Sequence, residues 1–337
     1  MSLLTASPSV PRDLPVWQHA CACLRAGTPA TLLLVVSSSG SSPGRQGFKM
    51  TVAPGSMAGS VGGGIMEHKF VELARSRMAE GNHELLLRPQ IHRSEAPHHR
   101  SGMICSGEQT LLLLPLRPAH LAALDAIVEV QQRAGNGWFE VRADGSLHVG
   151  TGPAPRPLGY APYTALGAHD WRYTEHLGFR DQLTIIGAGH VALALSRIVA
   201  TLDFHLTVID DRPGLNTLLD NPYAHQKHCV PYHELAGTVP AGPHHYVVIM
   251  TFGYRSDAVA LRQLINHPLA YLGLMGSEAK IAQLFAELRH EGYTEAQLSR
   301  VHAPVGVPIS SRTPEEIAIS VAAQLIQQRN APPAART

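Results

Sequence analysis

Charge is what this chain has least of. Only 16% of its 337 residues are Asp, Glu, Lys or Arg, below the roughly one quarter usual for globular proteins. They nearly balance, at a net +1 with no long basic run. A surface with no electrostatic footprint for a phosphate backbone excludes nucleic acid as a partner. Long apolar runs are missing too: no stretch approaches the ~18 uninterrupted residues of a membrane-spanning helix. The opening MSLLTASPSVPRDLP has no basic start followed by an apolar run, so no secretory signal is expected. Cysteine is scarce, and Cys21, Cys23, Cys105 and Cys229 are too scattered for a disulfide framework. A reducing, cytoplasmic setting is the expectation that follows.

What is present suits a globular protein of two domains, with 45% apolar residues. Residues 1–150 read as an N-terminal α/β domain. It opens with a helix near 14–26 and the strand TLLLVVSSSG, and it contains the amphipathic helix AHLAALDAIVEVQQRAGNG and a hairpin turning at Asp144-Gly145. Residues 151–180, rich in Pro, Gly and Ala at first, read as a linker. Residues 181–330 alternate strand and helix, which argues a Rossmann-like, doubly wound parallel sheet. Residues 331–337 read as a disordered tail. The 20 histidines form no recognisable metal pattern: His92, His98 and His99 share one polar loop, and His225, His228, Cys229 and His233 another.

The stretch TIIGAGHVALALSRI places Gly187, Gly189 and Ala192 in a G-x-G-x-x-A pattern where a strand gives way to a helix. The first glycine permits the tight turn and the second lets a phosphate approach the backbone. The small third residue brings the helix close to the strand, and free amides at its start face an anion. The strand HLTVID ends in Asp210-Asp211-Arg212, and an acid there commonly holds a ribose hydroxyl. His190 inside the loop points to the ligand side, or else is a solvent-facing loop residue. Hydride chemistry on a nicotinamide cofactor, NAD(P), would need an acid or base, and Tyr254, Asp257 and His190 are available, without a Tyr-x-x-x-Lys pair.

A second glycine loop, Gly62-Gly63-Gly64, runs into a helix near Ile65. Three glycines in a row are costly to order, by roughly 1 kcal/mol each against alanine. Close approach to a phosphate or oxyanion explains that cost, as does a tight strand-to-helix turn. Glu67 and His68 share the first turn. The loop GSSPGRQG, with Ser41 and Arg45, reads either as a polar clamp above the same site or as a surface turn. Cys105 lies between Gly102 and Gly107, where it is either a small buried filler or a thiolate able to meet a soft metal or carry sulfur. Cys21 and Cys23, two apart in a helical pattern, share no face and read as fill.

GSSPGRQGFKM, GSVGGGIMEH and GMICSGE in the first half, and GAGHVALAL, VIDDRP, TFGYRSD, YLGLMGSEAK and RTPEEIAISVAAQ in the second, together resemble the XdhC/CoxI family over nearly the whole chain. The resemblance implies an accessory protein of xanthine dehydrogenase and related molybdenum hydroxylases. It implies an accessory role as a chaperone, without turnover of its own. Such proteins bind the molybdenum cofactor (molybdopterin, or a nucleotide form of it), shield it during sulfuration and insert it into the apo molybdoenzyme. It further implies a cysteine desulfurase as partner and a homodimer. The family's glycine loops map onto Gly62 to Gly64 and onto Gly187, Gly189 and His190, its acidic strand end onto Asp210, and its cysteine onto Cys105, as a contact to molybdenum or its sulfur. The chain departs from the family at Ser106, at Phe252, where a histidine often stands, and at VGVPISSR. An NAD(P)-dependent oxidoreductase is the other reading of the second half.

Overall fold

The run TLLLVV is buried at every position because two cores claim it, one on each face of the strand it forms. In the computed structural model, which describes residues 8–91, 107–152, 154, 163–167 and 170–331, the chain divides into two units. The first is Val10–Gly178; the second is Phe179 onward together with the described residues ahead of Val10, Pro8 and Ser9.

The first unit comprises α1 (Leu14–Arg25), β1 (Thr31–Gly40), β2 (Lys49–Val52), β3 (Met57–Gly59), α2 (Gly64–Ala79), β4 (Leu86–Ile91), β5 (Gly107–Pro115), α3 (Leu121–Gln132), β6 (Gly137–Arg142), β7 (Leu147–Gly150), β8 (Tyr163–Gly167) and β9 (Asp170–Leu177). Among the described residues, an antiparallel sheet runs β3-β2-β1-β5-β4 and a four-stranded sheet runs β7-β6-β9-β8. Along β1, Leu33 and Val35 pack with Met66, Phe70 and Ala74 of α2. Leu32, Leu34 and Val36 pack instead with Trp17 of α1, Leu124 of α3 and Phe139 of β6. Period-two alternation thus serves both layers. Strands β8 and β9 occupy the stretch expected to be a linker. In β9, Trp171, Tyr173 and Leu177 are buried, and Tyr173 and Leu177 stand opposite Val141 and Gly137 of β6. The Pro- and Gly-rich residues ahead of it hid that alternation.

The second unit comprises β10 (Asp181–Ile186), α4 (His190–Val199), β11 (Phe204–Asp210), α5 (Asn216–Leu219), β12 (Gln226–Cys229), α6 (Leu235–Thr238), β13 (Gly242–Ile249), α7 (Tyr254–Leu264), β14 (Leu269–Leu274), α8 (Glu278–His290), α9 (Glu295–Leu298), β15 (Val301–His302) and α10 (Pro314–Asn330). Its described strands are all parallel in the order β12-β11-β10-β13-β14-β15. Counted within the unit, that is the order 3-2-1-4-5-6 of dinucleotide-binding sheets. Both faces are covered. Leu183, Ile185, Val208 and Val248 pack against α4 and α10, and Ile186, Val247, Ile249 and Leu274 against α7 and α8. The expected doubly wound sheet is the one observed. Helix starts follow local chemistry: Thr313 and Glu316 form a capping box across Pro314, the first residue of α10, and Ser277 caps α8. Among the described residues no helix is long and apolar enough to cross a membrane.

Candidate functional site

In the second unit, β10 lies between β11 and β13, with Ile186 opposite both Ile209 and Ile249. The loops that follow these three strands therefore leave the sheet side by side. The chain passes from β10 to one flank and from β13 to the other, so this is the switch point where open α/β sheets bind ligands. Gly187 has φ 99°, and a Cβ there would lie 2.7 Å from both the Met250 carbonyl carbon and the Thr251 Cα. Its amide donates to the Ile209 carbonyl at 2.7 Å. Ala192 is buried and seats α4 on the sheet. Gly189 is the N-cap of α4, extended and without any side-chain cap, and a Cβ there would meet nothing within 4 Å. No side chain caps the first amides of α4, which are the orphan donors of a helix start, and the space beside Gly189 is open. His190 is exposed at the first helical position and lines a groove of about 790 Å³ with Leu193, Arg197, Tyr223 and Ile319.

Asp210 ends β11 as expected, but its side chain turns inward. It is fully buried and accepts from the Ala188 amide at 2.7 Å and the Arg212 amide at 3.0 Å. The Arg212 guanidinium adds Nε at 2.8 Å and Nη2 at 2.8 Å. Burial favours its neutral form, yet the donors on Arg212 and Ala188 outweigh it and hold the carboxyl below the ordinary aspartate range. Both oxygens are thus engaged within the chain, and the exposed acid at this strand end is Asp211. The ribose contact foreseen for Asp210 is filled by internal donors.

After β13, the Thr251 amide and hydroxyl donate to Asp257 Oδ1 at 3.1 and 2.6 Å. Asp257 is fully buried, and its other oxygen pairs with Lys280 Nζ of α8. Asp257 therefore anchors the loop, a task that Lys280 shares and that the sequence alone did not suggest. Phe252, between these anchors, is 88% exposed. The Arg212 guanidinium stands 5.7 Å from its ring centroid. Tyr254 packs against the core under α7.

The first unit treats its glycine loop differently. Glu67 Oε2 accepts from the Ser60 hydroxyl at 2.6 Å, the Val61 amide at 2.9 Å and the Gly63 amide at 3.0 Å. Burial opposes its charge, but these donors outweigh that and hold the carboxyl below the usual glutamate range. The loop's own carboxylate thus takes one of the three glycine amides expected to meet an anion, that of Gly63, while the Gly62 amide donates to the Ser60 hydroxyl at 3.2 Å. Gly62, at φ 126°, has its Cα face against Pro43 and Gly44, which a Cβ would meet at 2.6–2.7 Å, so it serves close loop-on-loop packing. In GSSPGRQG, the Gly44 amide donates to buried Gln109 at 3.0 Å and the Ser42 hydroxyl to the Gly44 carbonyl at 2.8 Å. Ser41 and Arg45 are exposed, with Arg45 Nη1 on the Gly40 carbonyl at 2.8 Å. Cys105, His92, His98 and His99 lie outside the described residues.

The same unit holds an ion cluster that the sequence did not reveal. Lys49 is buried, with Nζ on Asp13 and, at 2.7 Å, on Glu175 Oε1. Tyr173 Oη donates to Glu175 Oε2 at 2.5 Å. The Trp17 and Phe139 rings lie 6.0 and 5.8 Å from Nζ. In the second histidine loop, His225 stacks on His205 at 4.5 Å, accepts from the Leu206 amide and donates to the Ser9 carbonyl. Burial and then His225 push His205 down to about 4. Cys21 and Cys23 are buried and Cys229 is exposed, all free thiols; burial, then Asp125, pushes Cys21 up to about 11. Among the described residues no group of three or more His, Cys, Asp or Glu is placed to hold a metal ion.

Comparison with known proteins places these features. Residues 183–325 match the XdhC Rossmann domain and residues 23–88 the XdhC and CoxI family. The chain is 28% identical over 306 residues to uncharacterized protein YqeB of Escherichia coli (strain K12), covering 90% of this chain and 44% of that protein. It is 31% identical over 157 residues to a Bacillus subtilis (strain 168) protein described as a probable component of xanthine dehydrogenase, covering 47% of this chain and 46% of the relative. The chain thus spans less than half the length of these curated relatives. A crystal structure described as a xanthine dehydrogenase from Bacillus halodurans superposes with a TM-score of 0.69 at 22% identity, over 95% of this chain and 97% of that one. That likeness is one of fold. The two matched regions, in the order and on the units described above, show that the chain belongs to the XdhC and CoxI family.

Proposed function

We propose that this chain is an accessory protein of a xanthine dehydrogenase-type molybdoenzyme. In this reading it binds the molybdenum cofactor, protects it during sulfuration and hands it to the apo-enzyme, without turnover of its own. Family membership supports the link to that class of enzyme. One observation carries the binding site: the second glycine loop stands at the switch point of the parallel sheet, between the ends of β11 and β13, where α4 starts without a side-chain cap and the space beside Gly189 is open. Backbone amides at a helix start suit the phosphate that molybdopterin carries. Gly187 and Gly189 would shape the cradle, the amide at His190 would donate, and Ala192 would keep the helix close. When bound, the cofactor supplies the molybdenum centre that its target enzyme uses. Cys105 belongs to the proposal as the thiol that meets molybdenum or its sulfur, and a cysteine desulfurase and a second copy of the chain as further partners.

Proline is tolerated at the first helical position and removes only an amide hydrogen. The extended backbone of Gly189 (ψ −172°) already suits a residue preceding proline. The His190→Pro variant therefore deletes one proposed phosphate donor and keeps the helix. After anaerobic co-expression with cofactor synthesis genes, wild type and His190→Ala are expected to carry pterin, read by fluorescence after oxidation, and His190→Pro to lose most of it. Wild-type protein without bound pterin would refute the proposal. The strand order also favours a second reading, an NAD(P)-dependent oxidoreductase. NADH titration followed by fluorescence tests it, with hydride transfer as the deciding result.

A further inference from the structure

Phe252 is the most exposed large apolar side chain among the described residues, at 88% against 60% for Ile65, the next. A bare aromatic ring on the surface is ordinary; this one is held in place. Thr251 before it is fixed by two hydrogen bonds to buried Asp257, which is itself paired with Lys280. The ring stands on the loop after β13, whose Met250–Thr251 backbone lies against the turn at Gly187. From the opposite flank, Arg212 brings its guanidinium to the ring, and that guanidinium is oriented by two hydrogen bonds to Asp210. Two loops, each tied to a buried carboxylate, thus set a flat cation and an aromatic face together, and Asp210, which orients the cation, also holds the Ala188 amide of the loop leading into α4. Preorganised flat groups of this kind hold flat ligands, because stacking needs a fixed plane and little else.

We propose that Phe252, backed by Arg212, is the stacking platform for the heteroaromatic base of a nucleotide-type ligand whose phosphate lies on the α4 amides. A sugar bridges the two contacts, and exposed Asp211 stands at the same strand end to accept from its hydroxyls. The inference rests on the phosphate site proposed above and sharpens it: the ligand of this unit is a nucleotide form, not a phosphate ester lacking a base. Stacking is tolerant of base identity, so one mononucleotide serves as probe.

The test is calorimetric titration of the full chain with GMP and, separately, with ribose 5-phosphate, which keeps the sugar and phosphate and lacks the base. Wild type is expected to prefer GMP by roughly five- to 150-fold, the usual range for one stacked base. Phe252→Ala should abolish that preference and leave ribose 5-phosphate affinity unchanged, whereas Phe252→Trp should retain it. Equal binding of the two probes by wild type, or an undiminished preference in Phe252→Ala, overturns the stacking platform and leaves the phosphate site standing. Binding of neither probe overturns both. A change in ribose 5-phosphate affinity in Phe252→Ala would show that the loop itself had moved, and Phe252→Trp then decides: loss of its preference overturns the proposal, and retention supports it.

Discussion

Replacing Asp210 by Asn tests whether its carboxylate is the internal tie that shapes the second glycine loop. The substitution preserves volume and removes the charge. The Asp210 oxygens accept from the Ala188 amide and from three nitrogens of Arg212. An amide side chain presents one oxygen and one NH2, so in either orientation a donor faces a donor. Breaking a fully buried ion pair costs about 3–5 kcal/mol. The Arg212 side chain remains 40% exposed and regains water, which brings the expected loss to about 2–3 kcal/mol. Urea unfolding followed by far-UV circular dichroism measures it, while fluorescence follows the first unit separately, because Trp17, Trp138 and Trp171 all lie there.

The pH dependence carries its own sign. The folded carboxyl titrates below its unfolded value, so its contribution is present above the unfolded pKa and is lost as pH falls through the folded one. The gap between wild type and Asp210→Asn should therefore be widest near neutrality and close on acidification. A loss below about 0.5 kcal/mol, the level of an ordinary surface substitution, would refute the reasoning, as would a gap that widens in acid.

Lys49→Met strands Asp13 and Glu175 without their cation. The expected loss is about 3–5 kcal/mol by tryptophan fluorescence, shrinking at lower pH as Glu175 protonates; a neutral effect would show the cluster to be dispensable. The two glycines of the GAG turn should part company in urea unfolding. Gly187→Ala, with positive φ and a crowded Cβ position, should cost about 2 kcal/mol or more. Gly189→Ala, extended and in open space, should cost under about 1 kcal/mol, and equal costs would refute the assigned geometry.

Much of the fold was legible because its signals are local. A strand that must be buried on both faces reads as an apolar run, and a helix start needs a cap within a few residues. TIIGAGHVALAL and HLTVID accordingly announced β10, α4 and β11 with their boundaries nearly in place. Strand β9 was missed because its alternation follows residues whose composition suggests a linker. The candidate site was legible in its parts. The roles of Asp210 and Glu67 were not, since an acid at a strand end or in a first turn can face outward to a ligand or inward to the chain.

What the sequence determined by itself was the presence of two glycine turns at helix starts, a parallel doubly wound second half, and the order of motifs that marks the family. What only the tertiary structure decided was where each turn's carboxylate goes and which turn stands at the switch point of a parallel sheet. Those outcomes depend on carboxylates and donors brought together by neighbouring strand ends and loops: Arg212 and Ala188 hold Asp210 inward, while Glu67 folds back onto the Val61 and Gly63 amides of its own loop. Hydrogen-bond partners outside the local ladder are settled by packing, and the composition of the turn does not carry that information.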